Sequence, residues 1–151
     1  MNNSVNQVHN NHYDNENKEK NMKIAEKIFA FLMGYFIYSL VEIAARGYTH
    51  WTMALTGGVV LAVLYDINTK AAMSLIKSCF IGAVFITAME LVVGVVVNLV
   101  MRWNVWDYKS MPLNVMGQIC LYYSFGWFLL CIPAYFLCMA IRIRFRGPRP
   151  A

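Results

Sequence analysis

Charged residues are scarce in this sequence: Asp, Glu, Lys and Arg make up 14% of its 151 residues, against about 25% in an ordinary soluble domain. Hydrophobic residues make up 59% and are concentrated in long runs. A soluble fold of this size could not bury that much apolar surface, because its surface must stay largely polar. The shortage of charge therefore excludes an ordinary soluble domain and predicts an integral membrane protein.

Nucleotide-binding and hydrolytic motifs are missing as well. The chain contains no GxxxxGK[ST] phosphate loop, so any use of ATP would require a separate ATPase subunit. It also lacks GxSxG and HExxH, and its four cysteines include no CxxC pair. We accordingly expect neither a bound metal nor an organic cofactor.

Four apolar segments are long enough to cross a bilayer. They cover residues 28–45, 47–65, 78–101 and about 113–141. A helix of about 20 residues is about 30 Å long, roughly the thickness of the hydrocarbon core. The predicted fold class is all-α, an integral membrane bundle of four transmembrane helices, with a polar turn at 66–70 between the second and third spans.

Three regions follow from this pattern. Residues 22–141 form the transmembrane domain, and residues 142–151 form a basic tail. Residues 1–21 include eight asparagines and little that could be buried, so we predict a disordered tail there.

The basic residues are distributed unevenly between the two sides. Ten of the thirteen Lys and Arg residues lie in the terminal regions or between the second and third spans, and only Arg46, Arg102 and Lys109 lie on the other side. By the positive-inside rule, we predict that both termini of this multi-pass protein are cytoplasmic. Because these residues flank apolar segments, we expect contacts with membrane lipids and no nucleic-acid partner.

An acidic residue inside a span is the strongest functional signal. Glu90 lies thirteen residues beyond Lys77, about 20 Å along the third helix and so near the bilayer midplane. A carboxyl group at that depth must be paired, hydrated or protonated. Since Arg46 and Arg102 belong to the outer boundary, we expect Glu90 to be neutral, and either hydrogen-bonded or exposed to a water-filled cavity. The hydrogen-bonding partners expected for it are Asn114, Gln118 or a tyrosine.

Other polar residues fall near Glu90 in the outer half of the predicted bundle. Arg46 lies one helical turn after Glu42, and Asn98 lies two turns after Glu90, with Gly94 between them to allow close approach by a neighbour. The predicted polar cluster, which is also the candidate ligand-binding site, comprises Glu42, Arg46, His50, Glu90, Asn98, Asp107, Asn114 and Gln118.

Two parts of the sequence resemble a known family. The first is EIAARGYTHWTM at 42–53, followed by Gly57-Gly58. The second combines ELVVG at 90–94 and Asn98 with VWDY at 105–108, PLN at 112–114 and GQIC at 117–120. Together they resemble, over about residues 28–141, the small bacterial membrane proteins of the putative ABC-transporter type IV (permease-like) family. The resemblance implies a transporter subunit in a bacterial cytoplasmic membrane, but it supplies no substrate and no catalytic residue.

Three functional hypotheses remain open. The first is a permease-like transporter component with an outward-facing cavity lined by Glu42, Arg46, Glu90, Asn98, Asn114 and Gln118. The second is an accessory or structural membrane protein whose polar cluster locks helices and binds a partner. An intramembrane enzyme is third, because paired carboxylates can do acid–base work, but no nucleophile–base pair is evident. We expect the protein to act as a homo-oligomer or within a larger membrane complex.

Overall fold

Four long helices make up most of the chain. The computed structural model describes residues 2–70 and 73–147, with side-chain surroundings for 14–69 and 73–147. In chain order the elements are α1 (Asn2–Arg46), α2 (Trp51–Lys70), α3 (Leu75–Gly94), its π-helical continuation π1 (Val95–Val100), β1 (Asn114–Val115), β2 (Ile119–Cys120) and α4 (Leu121–Arg146). Each of the four helical segments is long and apolar enough to cross a membrane, which confirms the all-α, four-span prediction. Helices suit a bilayer because they satisfy their own backbone hydrogen bonds.

Glycines bring α1 and α2 into close contact. A Cβ atom added at Gly34 would lie 2.4 Å from the Gly57 carbonyl oxygen, and one added at Gly57 would lie 2.4 Å from the Tyr38 Cβ atom. Gly58 meets the Phe31 ring in the same way. Small residues let helix backbones approach where no hydrophobic force drives association. The first two spans therefore form a tightly packed hairpin.

The second hairpin, α3 with α4, packs on the first through a core that includes three cysteines. Cys79, Cys131 and Cys138 are all buried with free thiols, and Gly82 approaches the Cys131 sulfur. The core residues are Ala30, Leu61, Leu64, Tyr65, Cys79, Cys131, Cys138 and Ile141. The cysteines act here as small packing residues.

The fourth span begins later than the sequence pattern predicts. Residues 113–120 form a short antiparallel hairpin instead of helix, with Asn114 opposite Cys120 in register, and α4 starts at Leu121. Leu113, Met116 and Gly117 have positive φ angles of 54°, 56° and 70°, which a right-handed helix does not allow. The predicted start of the fourth helix at about residue 113 is therefore wrong, and neither Asn114 nor Gln118 lies on α4.

At the end of the bundle away from residues 113–120, two helix ends that the sequence predicts are absent. Residues 66–70, predicted as a turn, complete α2, and residues 142–146, predicted as tail, complete α4. Contacts with neighbouring elements extend both helices: Asp66 pairs with Lys27 at 2.7 Å, and Arg146 contacts Glu26 at 2.5 Å. Tertiary contacts of this kind commonly override the helix-ending tendency of a polar run.

Residues 2–21, for which the sequence predicts a disordered tail, form the N-terminal part of α1 in the structure. At 45 residues, α1 is about 68 Å long, more than twice the thickness of a hydrocarbon core. The side chains of residues 14–21 are exposed. Extension of an existing helix needs no new nucleus, so a polar segment can continue it at little cost.

The orientation of the bundle can be tested by labelling introduced cysteines. We predict that Asn104→Cys reacts with an impermeant thiol reagent in intact cells, whereas Ser74→Cys reacts only after the membrane is opened. Both residues are exposed, and they lie at opposite ends of α3. The reason is the excess of Lys and Arg on the Ser74 side of the membrane.

The buried native cysteines should give little background labelling. Reaction at Ser74→Cys in intact cells would reverse the proposed orientation.

Candidate functional site

The loop of residues 101–120, called here the cap loop, packs against the helices instead of standing away from them. Trp106 is buried, and its indole N–H donates to the Gln118 carbonyl oxygen at 2.9 Å. A Cβ atom at Gly94 would lie 2.7 Å from the Gln118 side-chain oxygen, so the loop reaches α3 where a glycine gives it room. A loop with irregular backbone can pack against transmembrane helices when protein surrounds it.

Asn98 fastens the cap loop to the bundle. Its amide nitrogen donates to the Trp106 carbonyl oxygen at 3.0 Å and to the Gln118 side-chain oxygen at 2.8 Å. Its own oxygen accepts from the Val105 N–H at 2.7 Å. Asn98 lies in π1, and π-helical turns often occur at functional positions. These bonds bring two members of the predicted polar cluster, Asn98 and Gln118, into direct contact.

Glu42 and Arg46 form the ion pair that their spacing predicts. The second Glu42 oxygen accepts from the Thr49 hydroxyl at 2.6 Å, and Arg46 also donates to the Val105 carbonyl oxygen at 3.3 Å. The guanidinium further lies over the Tyr48 ring, 5.3 Å from its centroid. The charge of Arg46 is thus already balanced by a nearly buried carboxylate.

The remaining predicted residues support local structure. His50 contacts the Thr52 hydroxyl at 2.7 Å, and its ring lies beside the rings of Trp51 and Trp103. Asp107 accepts from the Lys109 backbone N–H at 2.8 Å. The side-chain amide of Asn114 donates to the carbonyl oxygens of Lys109 and Met111 and so closes the turn before the hairpin.

Glu90 stands apart from these groups. One of its oxygens accepts from the Tyr108 hydroxyl at 3.0 Å, and the other accepts from the Trp127 indole N–H at 2.9 Å. The expected tyrosine partner is therefore present, whereas Asn114 and Gln118 do not fill that role. Burial raises the pKa of Tyr108 above its ordinary value, and the nearby Glu90 carboxyl raises it further, so the hydroxyl keeps its proton and can donate. In the described part of the chain, Glu90 has no salt-bridge partner.

A cavity of about 310 Å³ lies between the two helical hairpins, and Glu90 lines it. Of the six residues predicted to line an outward-facing cavity, Glu90 lines this one, whereas Glu42, Arg46, Asn98, Asn114 and Gln118 do not belong to its lining. Those five side chains bond to each other or to the cap loop instead. The polar cluster therefore separates into a hydrogen-bonded cap and one carboxyl group beside a cavity.

The lining of the cavity is almost entirely apolar. Its lining includes Ile37, Tyr38, Val41, Glu90, Trp127, Leu130 and Ala134. Tyr38 and Trp127 lie next to each other, with ring centroids 6.0 Å apart. Pockets of this size, mostly apolar with few polar groups, are typical small-molecule sites.

A second buried acid lies at the other end of the bundle, where α1, α2 and α4 meet. The Glu26 side chain is fully buried; it contacts Arg146 at 2.5 Å and accepts from the Tyr65 hydroxyl at 2.9 Å. A further hydrogen bond, from the Ser78 hydroxyl to the Asn68 side-chain oxygen, joins α3 to α2. Glu26 is not among the residues predicted for the site, because it precedes the predicted start of the first span at residue 28.

No group of three or more His, Cys, Asp or Glu side chains among the described residues is arranged to hold a metal ion. The buried acids of the described residues are Glu26, Glu42 and Glu90, and each has its own partners. Within that part of the chain they are separate carboxyl groups and do not share a site.

The fold and these contacts define a small multi-pass membrane protein. The family described as putative ABC-transporter type IV matches residues 29–146, and the chain belongs to that family. The family name relates it to ABC transporters. No curated protein and no solved structure matches the chain.

Asn98→Ala should loosen the cap loop. The change leaves the Val105 N–H and the Gln118 side-chain oxygen without their partner, at a cost of about 2 kcal/mol in the free energy of unfolding. We expect faster hydrogen exchange of the amides of 101–120, measured by mass spectrometry. Ser110→Ala, at an exposed position in the same loop, is the matched control. Unchanged exchange in Asn98→Ala would show that Asn98 does not hold the loop.

Glu26→Gln should destabilise the bundle, because it leaves Arg146 facing a neutral amide. A broken buried ion pair costs about 3–5 kcal/mol, and we expect about 2 kcal/mol here since the Arg146 side chain is 34% exposed. Thermal unfolding in detergent measures the change. Glu19→Gln removes the exposed pair with Lys23 and should leave the unfolding temperature unchanged. Equal unfolding temperatures for the two variants would contradict the assignment.

Proposed function

We propose that this protein is a permease-like component of a transporter in a bacterial cytoplasmic membrane, with the cavity beside Glu90 as its solute site. The observation that carries the proposal is the cavity itself: about 310 Å³ between two hairpins, with one carboxyl group in its wall. Transporter sites commonly lie near the bilayer midplane between two structural halves. Membership of an ABC-transporter-related family supports the same role.

The proposal includes a separate ATPase subunit. The sequence contains no phosphate-binding loop, so the chain cannot itself supply ATP hydrolysis. Four helices also enclose little volume, which favours work as a homo-oligomer or within a larger membrane complex. In this role Glu90 binds solute and has no part in bond breaking.

A second candidate function is an accessory or structural membrane protein. The observation that favours it is the hydrogen-bonded cap, in which the Asn98–Gln118 and Glu42–Arg46 contacts join the cap loop to the helices. A protein of that kind would present its loop to a partner and need no open cavity.

Copurifying ATPase activity distinguishes the two functions. We predict that the tagged full chain, purified into lipid nanodiscs from cells of its own source, carries vanadate-sensitive ATP hydrolysis. Ala134→Phe places a large ring in the cavity wall and should lower that hydrolysis several-fold. Phe136→Leu alters an exposed residue of the same helix and should leave it unchanged.

Loss of ATPase activity counts only if helix content and nanodisc incorporation match the wild type; Val60→Phe, from the opposite wall, provides a second test of the same cavity. Absence of hydrolysis in the wild-type preparation, or hydrolysis unaffected by both cavity variants, would overturn the permease proposal and favour the accessory function.

A further inference from the structure

We infer that the cavity binds an amphiphilic cation, with an ammonium group beside Glu90 and a hydrocarbon chain along the apolar walls. The inference names the ligand class of the proposed solute site, and as a transport substrate that ligand rests on the proposed function. Four observations carry it: the charge of the wall, the aromatic rings beside that charge, the apolar remainder and the exposed rim.

The charge in the cavity wall is a single carboxyl group. Glu90 is buried, with 4% exposure, and lines the cavity. Its two protein partners, Tyr108 and Trp127, are both donors, which is the arrangement that a carboxylate accepts. Arg46, a cation at the cap-loop end of the bundle, is already paired with Glu42. A cationic ligand would therefore supply the charge that the surrounding protein does not.

Two aromatic rings border the carboxyl group. Tyr38 and Trp127 both line the cavity, and their ring planes differ by 33°. Faces of Trp and Tyr attract ammonium groups, and quaternary ammonium ligands are bound by such rings. A carboxylate alone would also suit a small metal cation, but metal ions prefer several oxygen ligands and here find one carboxyl group. The combination favours an organic ammonium group.

The rest of the wall excludes a strongly polar ligand. Beyond the Glu90 group, the polar side-chain groups of the lining are few, and two of them already donate to protein acceptors: the Thr56 hydroxyl to the Thr52 carbonyl oxygen at 2.8 Å, and the Trp127 indole N–H to Glu90. The Tyr38 hydroxyl and the Cys131 thiol are the others. Burial of a polar group without a partner is unfavourable, so a sugar or amino acid, with several polar groups, would lose more than it gained. A hydrocarbon chain has no such cost.

The rim of the cavity indicates the route of entry. Ile37 and Val41 on α1 are each 39% exposed, and Leu130 on α4 is 43% exposed, although all three line the cavity. In a membrane these side chains face lipid, so the cavity opens sideways toward the bilayer. An amphiphile already dissolved in the bilayer can enter by that opening without crossing water.

Equilibrium binding of radiolabelled octyltrimethylammonium to the purified full chain tests the inference. The protein is placed in phosphatidylglycerol nanodiscs, and binding to empty nanodiscs is subtracted. We expect saturable binding to the wild type and at least about tenfold weaker binding to Glu90→Gln, because the amide keeps the size of the carboxyl group but loses its charge. Octyl sulfate, with the same chain and the opposite charge, should not compete.

Two further variants separate the ring from the charge. Trp127→Leu should weaken binding several-fold, whereas Trp127→Phe should retain most of the affinity because it keeps an aromatic face. Phe136→Leu, which faces lipid, is the matched control. Unchanged circular dichroism and elution volume show that each variant is folded.

Competition by lysophosphatidylcholine distinguishes the two sources of an ammonium group. Displacement of the probe would identify a lipid headgroup, and its failure would identify a free organic cation; either result supports the inference. Equal binding to wild type and Glu90→Gln, or competition by octyl sulfate, would overturn it. Since this assay contains no ATPase, a negative result here with cavity-sensitive ATP hydrolysis would reject the ligand class alone.

Discussion

The absence of water in the bilayer core is the constraint on which the rest of this structure depends. A polar group placed there must find its partner within the protein, at a cost of several kcal/mol if it does not. In the part of the chain that the structure describes, every fully buried side-chain nitrogen or oxygen has a hydrogen-bonding partner. Three buried polar side chains meet that requirement by bonding to residues distant in sequence: Glu26 bonds to Arg146, and Asn98 bonds to Gln118.

These contacts fix the bundle at its two ends and leave the middle apolar. At one end Glu26 and Arg146 connect the first and fourth helices, and at the other Asn98 holds the cap loop. Between them the helices pack through small residues and cysteines, and a cavity remains beside Glu90. Glu90 differs from Glu42 because Glu42 pairs with Arg46 one helical turn away, whereas Glu90 has no salt-bridge partner among the residues that the structure describes.

Local patterns in the sequence predict much of this arrangement, and long-range contacts account for what they miss. The four spans follow from apolar runs, and the Glu42–Arg46 pair follows from a spacing of four residues. The close approach at Gly57 could likewise be predicted from residue size. The Glu26–Arg146 pair joins residues 120 positions apart, which no local pattern indicates, although a glutamate beside Ile24 and Phe29 could have drawn attention.

The candidate site shows the same division. Glu90 is identifiable as an acid within an apolar run, but its partners come from the cap loop and from α4. The sequence indicates that a tyrosine could bond Glu90 but not which one, and it gives no sign of Trp127. The reason is that the fold of residues 101–120 depends on residues with a left-handed backbone, such as Leu113, where the sequence predicts the start of a helix. The polar residues predicted to cluster with Glu90 share one end of the bundle, as the order of the four helices requires. Their sequence positions do not indicate that they bond to each other and leave the cavity to Glu90.

The most direct test is a dipolar recoupling measurement by solid-state NMR at the Glu90 carboxyl carbon, with the protein in lipid bilayers. The sample carries carbon-13 in glutamate and nitrogen-15 in tryptophan and in added octyltrimethylammonium, and a Glu90→Gln sample identifies the Glu90 signal. The account predicts dephasing of that signal both by the Trp127 indole nitrogen, 2.9 Å from a carboxyl oxygen, and by the ligand nitrogen. A Glu90 signal untouched by the ligand, and dephased by arginine nitrogen in a matching arginine-labelled sample, would contradict the account.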